Sequence, residues 1–93
     1  MDKHELRKEF KDKIDEVFHS IQKLENKSEE LSGRKKEEME EKIAVLQSKK
    51  DKMDSFYEEL INSSEEKMDE IRTQFEKSIV DFKSGFNKIA QAL

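Results

Sequence analysis

Glu16-Val17-Phe18-His19 is the stretch of this 93-residue chain whose spacing suits a metal site. A Glu-x-x-His step puts a carboxylate and an imidazole on adjacent turns, and pairs of such steps hold two metals inside four-helix bundles. The ligands must then point inward. On a wheel of about 100° per residue, Glu16 lies roughly 120° and His19 roughly 180° from the centre of the local apolar seam. Both are expected on the solvent side, with no metal bound. His4 has no partner at helical spacing and reads as a surface residue near a fraying end. Arg34-Lys35-Lys36 and Lys49-Lys50-Asp51-Lys52 carry the side chains that contact phosphates. Acids follow each stretch at once, Glu37-Glu38 and Asp54. The chain has 19 basic against 23 acidic residues, a net charge of −4. Nucleic-acid binders carry a basic surplus, so these stretches are expected to be solvated helix faces.

Catalytic chemistry finds no support in the residue pattern. There is no cysteine, hence no disulfide and no thiolate metal site. No glycine-rich phosphate loop is present, and no pair of carboxylates must be buried together. A slender coil is also expected to lack the pocket of roughly 300–1,000 Å3 that small molecules occupy. Neither an enzyme, a cofactor nor a small-molecule substrate is expected.

The elements that position these residues are helices. Charged residues make up 45% and hydrophobic ones 32% of the chain, proline is absent, and Gly33 and Gly85 are the only glycines. Such a composition suits long helices and cannot fill a thick globular core. One domain spanning residues 1–93 is expected. The longest apolar run, Ile43-Ala44-Val45-Leu46, falls far short of the roughly 20 residues of a membrane span. Met1-Asp2-Lys3-His4-Glu5 lacks the apolar core of a secretory signal. A soluble, cytoplasmic protein is the expectation.

Leu6, Phe10, Ile14, Val17, Ile21, Leu24 and Leu31, with Ser28 in one slot, recur at steps of three and four and define a heptad seam. Glu9–Lys13 and Glu30–Arg34 have the spacing of helix-stabilising ion pairs. Leu31-Ser32-Gly33 is the best turn, because glycine adopts the left-handed conformation found where helices end. Beyond it Met39, Ile43, Leu46, Met53, Tyr57, Leu60, Ile61, Ser64, Met68, Ile71, Phe75, Ile79, Phe82, Phe86, Ile89 and Leu93 all fall within about 60° of one line. From Ser64 the spacing becomes an eleven-residue repeat, aligning Met68 with Ile79 and Ala90, and Ile71 with Phe82 and Leu93.

Asn62-Ser63-Ser64 admits two readings. Ser63 and Glu66 have the spacing of a capping box, which would start a third helix. The unbroken apolar phase, and the lack of glycine or proline, favour one helix of roughly 58 residues, about 87 Å long at 1.5 Å per residue. The fold class is therefore all-α: an elongated antiparallel coiled coil or helical bundle of two or three long helices. Its main turn lies near 32–34, and the alternative second turn near 62–64 would give helices at roughly 4–31, 35–61 and 64–92.

The segment from Tyr57 to Leu93 resembles the C-terminal half of a family of small bacterial coiled-coil stress-response proteins. The residues that carry this resemblance are Ser63-Ser64-Glu65-Glu66, Met68, Ile71, Arg72, Phe75, Ile79, Phe82, Lys83 and Phe86, with Met39, Ile43 and Leu46 upstream. It extends over residues 10 to 93. Met68 and Ile79 stand where that family has tryptophans, and Ser32-Gly33 replaces its alanine-rich centre. The resemblance implies a soluble accessory protein linked to salt or general stress, without established chemistry.

The functional expectation is a non-enzymatic, stress-associated scaffold or protein-interaction module acting through helix association. Met68, Ile71, Phe75, Ile79, Phe82, Phe86 and Ile89 are the expected partner-binding seam, and a homo-oligomer is the expected assembly. The alternative is an amphipathic protein that makes peripheral contact with lipid or coats hydrophobic granules. The polar face of that last segment mixes Lys77, Lys83 and Lys88 with Glu76 and Asp81, which is not strongly cationic.

Overall fold

The structure, a computed structural model, describes residues 2–92. Three helices follow one another: α1 (Lys3–Glu29), α2 (Gly33–Asn62) and α3 (Met68–Gln91), the last entered through a 3-10 turn at Glu65–Lys67. The chain runs up, down and up again as an elongated bundle, 50 Å long and 19 by 16 Å across. The seam residue Leu93 lies outside the described residues.

Local chemistry sets the ends of α1. Asp2 is its N-cap, with an extended backbone and a side chain that accepts from the Glu5 N–H at 2.8 Å, which satisfies one of the orphan donors of the first turn. The other end closes with the N–H groups of Glu30 and Leu31 donating to the carbonyls of Lys27 and Ser28. Gly33 then takes φ +62° as the chain enters α2, the left-handed conformation expected at this turn. The turn separates Glu30 from Arg34, and Arg34 pairs with Glu38 instead. Lys13 likewise pairs with Glu16, not with Glu9.

The second turn is real, and the 58-residue helix does not form. Ser63 and Ser64 are both extended, with ψ near 160°. No glycine or proline is needed, because side chains occupy the carbonyls at the end of α2. Asn62 Nδ2 donates to the Glu58 carbonyl, and Ser63 Oγ to that of Leu60. Lys3, from the first turn of α1, donates from Nζ to the carbonyls of Ile61 at 2.9 Å and Ser63 at 2.8 Å. The capping box is not formed: Ser64, not Ser63, precedes the new helical turn, and its side chain makes no capping bond. Leu60, Ser64 and Met68 kept one phase only because they are spaced four apart. Ser64, expected in the seam, is exposed in the link.

Leu6, Phe10, Val17, Ile21 and Leu24 of α1 meet Met39, Ile43, Leu46, Met53 and Leu60 of α2, and Met68, Ile71, Phe75, Phe82 and Ile89 of α3, in one buried core. Phe10 and Phe75 stack between α1 and α3 with centroids 3.8 Å apart and planes at 7°. Eleven residues overshoot three turns by about 20°, so the repeat drifts across the face of α3. Met68 is buried, Ile79 half-buried and Ala90 exposed.

Candidate functional site

Glu16 and His19 sit on the outer face of α1, as the wheel placed them, and both are exposed. Glu16 lies 3.6 Å from Lys13 Nζ, and the His19 ring meets Phe18 edge-on. His4 is exposed as well. Within the basic stretches, Arg34 pairs with Glu38, Lys49 with Asp81 and Lys50 with Asp54. Lys50 also stands 5.8 Å from the centroid of Phe18.

The seam expected to meet another chain is covered by this one. Met68, Ile71, Phe75, Phe82 and Ile89 are buried against α1 and α2, and Ile79 and Phe86 pack half-buried on the same core. The reversal at Ser63–Ser64 causes this, because it lays α3 back along α2. Any surface for a partner must lie on the outside of the bundle.

Between α2 and α3 lies a furrow made of three successive grooves. At its far end, Val45, Leu46, Gly85 and Ile89 form an apolar floor under Lys42, Lys49 and Lys88, enclosing 260 Å3. A middle section of 470 Å3 is walled by Lys49, Lys52, Phe56, Gln74, Lys77, Ser78 and Asp81. The section nearest the Ser63–Ser64 turn, 520 Å3, is walled by Glu58, Glu59, Lys67, Glu70, Ile71 and Gln74, among others. Lys49 is common to the first two sections and Gln74 to the last two, so the sections follow end to end, with Lys49 crossing between the first two to reach Asp81 at 3.3 Å. Spaces of this size were not expected of a slender coil. They arise because long polar side chains stand up along both rims, and they are open troughs.

Two features of the furrow escaped the sequence. Gly85 lets α3 approach α2: a Cβ there would lie 3.3 Å from Leu46 Cδ2 and 3.2 Å from Lys49 Nζ. Its only signal was a glycine inside an otherwise regular helical pattern. Phe56 lies beside the seam positions Met53 and Tyr57, where an apolar residue next to the stripe was the available cue.

Charge divides the furrow lengthwise. Its far and middle sections carry five lysines, Lys42, Lys49, Lys52, Lys77 and Lys88, against Asp81. The turn-proximal section carries Glu58, Glu59 and Glu70 against Lys67. Among the described residues no cluster of metal-ligating side chains occurs, and no helix is long and apolar enough to cross a membrane. Compared with protein-family models, with curated proteins and with solved structures, the chain matches none.

Proposed function

We propose that this chain is a non-enzymatic protein-interaction module that offers the α2–α3 furrow as its docking surface. The observation that supports this is the segregation of charge along the furrow, on a chain whose basic and acidic residues are otherwise interleaved. Like charges gathered at one end of the furrow repel each other, and a partner of opposite pattern relieves that repulsion. Complementary potentials of this kind steer encounter and fix register. The resemblance to small bacterial stress-response coils supports a stress-associated setting. The surface-coating alternative would require the bundle to open, exposing Phe10, Phe75 and Phe82 that are now buried.

Site-specific photo-cross-linking in cells tests the docking surface. A photoreactive residue at Ser55, exposed on the furrow wall, should give protein adducts, whereas one at His19 on the outer face of α1 should not. Equal labelling from both positions, or none from Ser55, would count against the furrow. Abundance that rises on salt shock would support the stress setting, and unchanged abundance would remove it.

A further inference from the structure

We infer that the occupant of the furrow is a second copy of this chain, docked antiparallel about a two-fold axis that crosses at Phe56 and Gln74. The inference rests on the docking surface proposed above and names its partner.

Two contacts fix the levels of the antiparallel helices: Lys49 with Asp81 at 3.3 Å, and Leu46 beneath Gly85. On that scale Phe56 stands opposite Gln74, and both wall the same section of the furrow. Lys52 lies four residues to one side of Phe56 and Glu59 three to the other. On α3, Lys77 lies three residues to one side of Gln74 and Glu70 four to the other. The mismatch is one residue in each case, about 1.5 Å of helix rise. A two-fold axis at this level therefore sets Lys52 against Glu59 of the second copy, and Lys77 against Glu70 of the second copy, each pair occurring twice. All four residues are exposed.

Isologous pairing requires a surface that complements itself under rotation, and the lengthwise charge division meets that condition only in the antiparallel sense. Parallel docking would set lysine on lysine. An unlike acidic helix laid along the whole furrow would meet Glu58, Glu59 and Glu70 at the turn-proximal end. Phe56, half-buried on the rim, meets its own mate at the axis and supplies the aromatic anchor that interface centres favour. Because α2 ends at Asn62 and the link lies just beyond it, the two copies overlap over about 18 residues, about 27 Å at 1.5 Å per residue. On a face 16 Å wide that is roughly 430 Å2 per partner, the size of a weak, transient contact, and Lys42 and Lys88 lie outside it.

Light scattering on the full chain tests this. At about 1 mM in low salt, above a dissociation constant on the order of 100 µM, the mass should approach twice 11.1 kDa. It should fall toward that of one chain as salt shortens the screening length to about 3 Å at 1 M. Lys52→Glu/Lys77→Glu and Glu59→Lys/Glu70→Lys should each be monomeric with unchanged helical circular dichroism, and an equal mixture of the two should recover the double mass. A dimer that neither double variant disturbs would place self-association on another face and overturn the inference. A monomeric wild type whose Ser55 probe captures a different protein would overturn the self-pairing and leave the docking surface standing. A monomeric wild type with no Ser55 adduct would sink both.

Discussion

Lys3 Nζ holds the carbonyls of Ile61 and Ser63 from 58 and 60 residues away in sequence, so one side chain ties the first turn of α1 to the last turn of α2. Hydrogen bonds from charged groups to the orphan carbonyls of a helix end stabilise more than neutral ones. Lys3→Ala should lower stability by about 1 kcal/mol, whereas Lys8→Ala, at an exposed position, should change it by less than about 0.5 kcal/mol. Urea melts of the two variants check this. Ser28 has the opposite sign. It fills a seam slot at 3% exposure, and its hydroxyl has no hydrogen-bond partner. Ser28→Ala removes that unmet group and improves helix propensity, so stability should rise by about 1 kcal/mol. A fall in the midpoint would mean that the hydroxyl has a partner after all.

At the scale of elements, the link between α2 and α3 decides the architecture. Ser64 has φ −77° and ψ 162°, within the range that proline adopts, and Ser63 before it has the extended backbone that a following proline requires. Ser64→Pro should therefore be neutral or stabilising by about 0.4–1 kcal/mol. Inside a continuous helix the same change would cost about 3 kcal/mol, so thermal melts separate the two cases by sign. The residues show why this link was hard to read. The seam of α1 and the Gly33 turn were legible, because heptad spacing and a left-handed glycine are local signals. The stop at Asn62–Ser63 relies on Lys3, whose distance in sequence hides it, and on two side chains folding back onto their own helix. Leu60, Ser64 and Met68 added a false continuity, since residues spaced four apart mimic a helix across any link of that length.

At the scale of the whole molecule, the reversal converts one long apolar stripe into a core closed by the chain's own helices and leaves charge to organise the outside. The seven seam residues from Met68 to Ile89 were readable as apolar and helical. That α1 and α2 would cover them depended on the turn, and so was not readable. The charged furrow was illegible for a related reason. Lys49 and Lys52 lie near Lys77 and Lys88 only once α3 is folded back against α2, and along the sequence these lysines are scattered from residue 49 to residue 88. Lys42 and Lys88, which face each other across that furrow, give the most direct measurement of the account. Dyes at these two positions, in labelled chains diluted into unlabelled protein, report one intramolecular distance by energy transfer. Helices packed side by side have axes about 8–10 Å apart, so transfer should be nearly complete. A separation of about 69 Å, that of 46 residues along an unbroken helix, would contradict the reversal and everything built on it.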